Sequence, residues 1–123
     1  MVHYATVLSD DPKLFAKVRN ALLEDARFVE AAGGLHCHGS DSPLTNLYPI
    51  ENSPDDWEDW PANSPIKNPQ SMSALLVECR SPQWIAEVGR LIARSTPEQV
   101  WIVDAQDVVW PADQVDPERL ALT

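Results

Sequence analysis

The triplet His36-Cys37-His38 is the one cluster of ligand-type side chains in the sequence. On an extended backbone, His36 and His38 would share one face and Cys37 would point to the other. Two imidazoles on one face can begin a metal site. Zinc needs at least a third protein ligand, and no spacing supplies one; His3 or a loop carboxylate would have to be carried there by the fold. The expectation is therefore two rim histidines with no metal and no cofactor.

Cys37 and Cys79 lie forty-two residues apart, which is neither a CxxC pair nor a zinc-ligand pattern. A nucleophilic thiolate needs a base and an electropositive pocket. His36 or His38 could act as the base, but no glycine elbow or helix start marks Cys37 as activated. If the second and third strands pair antiparallel, the two cysteines become neighbours. Carboxylates are plentiful, yet adjacent acids such as Asp55 and Asp56, or Asp104 and Asp107 at a turn, lack the contrasting environments that acid–base catalysis requires. No GxGxxG, Walker, GxSxG, HExxH or EF-hand pattern occurs, so no catalytic residues are expected.

The strongest signal is one of charge. From Phe28 to Ile66 the chain has no Lys or Arg and seven carboxylates: Glu30, Asp41, Glu51, Asp55, Asp56, Glu58 and Asp59. That interval carries most of the net charge of -10. Trp57 and Trp60 stand inside its densest part. An anionic field around large apolar side chains suits a basic, concave protein partner, because complementary fields speed encounter and a desolvated indole supplies binding energy. The expected partner-binding residues are Glu51, Asp55, Asp56, Trp57, Glu58, Asp59 and Trp60. The alternative role for the indoles is to cover a sheet face that the helices leave open.

The same charge argues against nucleic acid and anionic membrane as ligands, since both need clustered Lys and Arg. No segment approaches the roughly 18 apolar residues of a membrane span, and the start of the chain lacks a signal-peptide pattern. A cytoplasmic, unprocessed protein with two free thiols is expected.

At 123 residues, the chain has the length of one domain with a single core. Val2 to Leu8 reads as a strand. Asp11-Pro12 then opens a helix over about 12 to 31, with Phe15, Val18, Leu22 and Ala26 on its apolar face and Gly33-Gly34 ending it. Ser71 to Cys79 is a strand whose run Ala74-Leu75-Leu76-Val77 suits burial on both faces. Ser81-Pro82 repeats the helix-opening device, Trp84, Val88, Leu91 and Ile92 form a second stripe, and Thr96-Pro97 closes it. Val100 to Val103 is a strand, and Asp104 to Asp107 turns it into a C-terminal hairpin with Val108-Val109-Trp110. The tail from Pro111 should lie along the surface, anchored by Leu120 and Leu122.

This order predicts an α+β domain of the ferredoxin-like split βαβ type (β-α-β-insert-β-α-β): an antiparallel sheet, two helices on one face, and the first and third strands side by side and parallel in the middle. The second strand is either Leu35 to His38 or Leu44 to Ile50, with Pro43 and Pro49 placing the latter at an edge. Residues 39–70 hold six of the eleven prolines. Such a segment is too stiff for a free linker and reads as an ordered, irregular insertion, a kind of loop that is usually functional.

A small acidic domain without catalytic signatures, carrying an acidic-aromatic insertion, is similar in profile to bacterial immunity proteins. That resemblance rests on composition and implies an inhibitor of a basic cognate toxin or effector. Two further classes follow from the residues: a small-molecule enzyme or ligand sensor with its site near His36, Cys37 and His38, and a structural module that forms a homodimer.

Overall fold

A computed structural model of the chain describes residues 3–39, 42–53 and 57–123. One antiparallel sheet of seven strands organises it: β1 (Tyr4–Ser9), β2 (Val29–Ala31), β3 (Gly34–Gly39), β4 (Ser42–Ile50), β5 (Ser73–Cys79), β6 (Val100–Val103) and β7 (Val109–Pro111). Two helices, α1 (Leu14–Leu22) and α2 (Pro82–Ala93), complete the regular structure, and the strand order is β2-β3-β4-β5-β1-β6-β7. The chain is thus α+β, as its sequence pattern implies.

Register explains where the core lies. Val7 pairs with Leu75 and Ile102, Leu47 with Val77 and Leu35, so the odd-numbered residues of β1, β3, β4 and β5 share a face with Val100 and Ile102 of β6. Leu14, Val18 and Leu22 from α1 and Ile85, Val88 and Ile92 from α2 pack in one buried cluster with that face. Both helices therefore lie on the same side, which is the expected arrangement. Leu120 and Leu122 anchor the tail in the same cluster, and Tyr4 N donates to Leu122 O at 3.1 Å.

Four expectations need correction. α1 stops at Leu22 instead of running to 31. Beyond it, the Asp25 carboxylate accepts the Arg27 N–H at 3.0 Å and its guanidinium at 2.6 Å, a side-chain turn that competes with helical bonding. Gly33 is not a helix terminator. With φ of 77°, it sits in the two-residue turn Ala32-Gly33 of a β2–β3 hairpin.

The start of α1 also differs, because Asp11 acts one turn early. Its Oδ1 accepts Lys13 N at 2.9 Å, and regular helix begins only at Leu14. At α2 the Ser81-Pro82 device works as read, with Ser81 Oγ accepting Trp84 N at 3.2 Å.

Finally, β1 and β5 are neighbours in the middle of the sheet but run antiparallel. β4 runs parallel to β1, one strand away, with β5 filling the gap between them. The choice between two second strands was also false: 34–39 and 42–50 both form, as an adjacent antiparallel pair. Proline is tolerated in β4 near its ends, at Pro43 and Pro49.

Candidate functional site

The even-numbered residues of β1, β3, β4 and β5, with Trp101 and Val103 of β6, point to the face without helices. Half of that face is covered. Leu8, Ala74, Met72 and Val103 form a second buried cluster with Ile66, and Trp57, Trp60, Ile50, Trp101 and Val109 pack against it. The irregular segment after β4 is the cover. Each of its two indoles is half-buried and bonded inward: Trp57 Nε1 donates to Asn52 Oδ1, and Trp60 Nε1 to Ile66 O at 2.8 Å. The rings meet edge to face, 5.1 Å between centroids. Asn52 fixes the base of the segment by donating from Nδ2 to Pro69 O and Met72 O.

The acids follow from that packing. With the apolar side chains turned to the sheet, Glu51, Glu58 and Asp59 are exposed. Asp55 and Asp56 lie outside the described residues. The segment thus brings Trp57, Trp60, Glu51, Glu58 and Asp59 together as one cover with an apolar underside and an acidic outer surface.

The other half of the face is open. One cross-strand row runs Val29, His36, Asn46, Glu78, Tyr4 from β2 to β1. Of the four exposed large hydrophobic residues among those described, Tyr4, Val29 and Leu44 lie on this face, at 37%, 54% and 58% exposure. His36 Nδ1 lies 2.8 Å from Asn46 Oδ1, so the Nδ1-protonated tautomer donates. Burial pushes the Tyr48 hydroxyl above its ordinary value, and the neighbouring Glu78 carboxylate adds to the shift.

Cys37 points the opposite way, into the core, as alternation requires. Cys37 pairs across the sheet with Thr45, and Thr45 with Cys79, so β4 stands between the two thiols. Two interstrand spacings place them on the order of 10 Å apart, beyond disulfide reach. The expected adjacency of Cys37 and Cys79 is therefore wrong, and both are free and buried. No group of three or more His, Cys, Asp or Glu able to hold a metal occurs among the described residues. The side chain of His38 lies outside the description.

Two hollows flank the open half. The larger, about 440 Å³, lies at the strand ends and is lined by His3, Leu44, Asn46, Glu78, Cys79 and Arg80 among others. A second, about 270 Å³, lies between the cover and the sheet, lined by Tyr4, Thr6, Ile50, Asn52, Trp57, Val103, Asp104 and Asp107. Sequence reasoning missed the part played by Tyr4, Thr6 and Asn52. The signal available was the alternation within Tyr4-Ala5-Thr6-Val7, where polar residues fall on one face of a strand otherwise read as uniformly apolar.

Comparison of the chain with protein families, with curated proteins and with solved structures finds no match. Among the described residues, no helix is long and apolar enough to cross a membrane.

Proposed function

We propose that this protein is a binding module for a basic protein, acting through the acidic outer surface of the cover and the open sheet face beside it. One observation carries the reading: Trp57 and Trp60 are turned inward and hydrogen-bonded, so the cover is held in place while Glu51, Glu58 and Asp59 face water without a nearby Lys or Arg in sequence. Fixed charges lose less entropy on binding than charges on a free loop. The acids act mainly on encounter rate, and the apolar residues Tyr4, Leu44 and Val29 supply area to desolvate. The narrower form, an immunity-type inhibitor that neutralises a basic cognate toxin or effector in the cytoplasm, is supported by the resemblance in composition and by two free thiols.

The fold reads as ferredoxin-like in the same sense. The order β4-β5-β1-β6 supports this, because β1 and β4 run one way with β5 between them, while β5 and β6 run the other way on either side of β1.

A second reading, a ligand sensor, draws support from the 440 Å³ hollow, where Asn46 links the lining to His36. To separate the two, the protein is immobilised, partners are captured from host extract and identified, and capture is repeated with Glu51, Asp55, Asp56, Glu58 and Asp59 changed to Gln or Asn. The binding-module reading expects a basic protein retained by the native chain and lost by the neutral one at low salt. Equal retention by both sinks it.

A further inference from the structure

Asp104 is a buried carboxylate, 2% exposed, with no ion-pair partner among the described residues. Four N–H groups satisfy it: Oδ1 accepts from Gln106 and Val108 at 2.9 and 3.0 Å, and Oδ2 from Trp110 Nε1 and Ala121 at 3.3 and 3.2 Å. Its oxygens are satisfied by N–H dipoles. Its nearest described Arg in the tail, Arg119, stacks on Trp110 at 5.9 Å and makes no ion pair with it. The turn that Asp104 ties down presents a second carboxylate, since Asp107 adopts φ of 62°, is exposed, and has no ion-pair partner among the described residues. Asp is among the few residues that enter this region readily.

Asp104 and Asp107 are both among the residues lining the 270 Å³ hollow, with two aromatic residues, Tyr4 from β1 and Trp57 from the cover; the Asp104 carboxylate is turned to Trp110 and Ala121, and Asp107 is the exposed acid of the pair. Asn52 and Thr6 complete its polar lining. Aromatic walls together with anionic ends are the recognition chemistry of organic cations: the rings attract the cation through their quadrupoles and desolvate its stem, while the carboxylates take its N–H donors. A neutral apolar ligand would gain nothing from Asp107, and an anion would be repelled.

We propose that this hollow is a socket for a guanidinium or ammonium head, filled in the complex by one Arg or Lys side chain of the basic partner. The inference rests on the binding-module reading and adds to it the place where a single cationic anchor is held. The acidic cover beside the socket draws a basic surface toward it, and the socket fixes its register. Asp104 holds the turn, and Asp107 contributes the accessible oxygens.

The test uses the isolated full chain and N-acetyl-arginine amide, with the isosteric neutral N-acetyl-citrulline amide and the free polyamine spermidine as comparison probes. Nuclear magnetic resonance follows the Trp57 indole N–H and the backbone amides of Val103 and Asp107. The arginine probe should produce saturable shifts at those positions with affinity on the order of millimolar, as suits one side chain detached from its protein. Citrulline amide should bind at least about tenfold more weakly. Tyr4→Ala and Asp107→Asn should each weaken arginine binding by a similar factor, whereas Glu24→Gln, on the helix side, should not. Asp104 is left unchanged because its four bonds hold the turn.

Equal binding of citrulline, or full binding by the Tyr4→Ala and Asp107→Asn variants, overturns the socket. Spermidine binding far more tightly than the arginine probe would assign the hollow to a free polyamine and overturn the assignment to a protein side chain. If the captured basic protein is lost on neutralising the cover but binds Tyr4→Ala/Asp107→Asn at the native rate, the socket fails and the binding-module reading stands. If the arginine probe binds as expected and no basic protein is retained, that reading fails and only a cation site remains.

Discussion

Thr96 Oγ1 donates to Asp11 Oδ2 at 2.7 Å across 85 positions of sequence, joining the loop that enters α1 to the loop that leaves α2. The same carboxylate accepts Lys17 Nζ at 2.6 Å and the Lys13 N–H at 2.9 Å. Asp11 is 3% exposed, so one side chain closes the end of the two-helix layer. The Lys17 bond, then Thr96 and the Lys13 amide, outweigh the cost of desolvation and hold its carboxyl down at about 2, from an ordinary 3.8.

A folded pKa below the unfolded one means that the stabilisation is fully present above about pH 4 and is lost as pH falls through about 2. Asp25, also held at about 2 by the Arg27 guanidinium and amide, titrates in the same window. Thermal melts should therefore show the melting temperature falling from pH 5 to pH 2. Asp11→Asn should melt lower at pH 7, and the gap to the native chain should narrow toward pH 2, with Asp25 supplying the remaining slope. A gap that is constant with pH would refute the role assigned to the charge.

Gly89 sits where α2 crosses the tail. A Cβ there would lie 2.3 Å from Ala112 O and 3.0 Å from Ile102 Cδ1. On an exposed helix, Gly→Ala gains about 1 kcal/mol. Here the backbone at Ala112 must move, and its N–H bond to Val100 O at 3.0 Å moves with it. Overpacking of this kind costs about 1–3 kcal/mol, so Gly89→Ala should be net destabilising, and denaturant unfolding should show a lower midpoint. A raised midpoint would mean the tail yields freely.

Much of this architecture was legible because it follows from local rules. Ser81-Pro82 begins α2, the run Ala74 to Val77 forms a central strand in which Leu75 and Val77 are buried under the helices and Leu76 is half-buried on the other face, and Leu120 and Leu122 anchor the tail. The failures have one cause, which is that pairing partners are not written locally. Val29 to Ala31 falls in the span read as helix, yet it becomes an edge strand because Gly33 permits a hairpin and β3 offers an unpaired edge. Cys37 and Cys79 look adjacent only if a single strand fills the second position. The acidic cover was visible as composition, but the hollow was not, since Tyr4, Trp57 and Asp107 converge only through the fold.

The inward-facing indoles make Trp60 a structural residue. It packs on the cluster of Leu8, Ile66 and Val103, and its N–H bond to Ile66 O closes the cover. Trp60→Ala should cost roughly 2 kcal/mol, less than the 3–5 kcal/mol typical of a fully buried Trp because the ring is half-exposed. Trp60→Phe, which keeps most of the apolar contact and loses the bond, should recover about half. If Trp60→Ala leaves stability unchanged while weakening partner binding, the ring is an interface anchor and not a cover.

Neutralising the cover tests the charge apart from the packing. Changing Glu51, Glu58 and Asp59 to Gln or Asn removes exposed charges from a segment whose internal bonds run through Asn52, Trp57 and Trp60, so the melting temperature should shift little. Association with the proposed basic partner should slow. At about 0.1 M salt the Debye length is about 10 Å, so steering by these groups is strong only at lower ionic strength. Stopped-flow traces for the native chain should therefore show on-rates that drop steeply with salt toward the roughly 10⁵–10⁶ M⁻¹s⁻¹ of unsteered association. The neutral variant should begin near that floor and stay there, with its dissociation rate nearly unchanged, because rim charges act before contact and buried anchors act after it. An on-rate that remains at the native value in low salt would mean that the acids only solvate the cover, and that recognition must come from the sheet face alone.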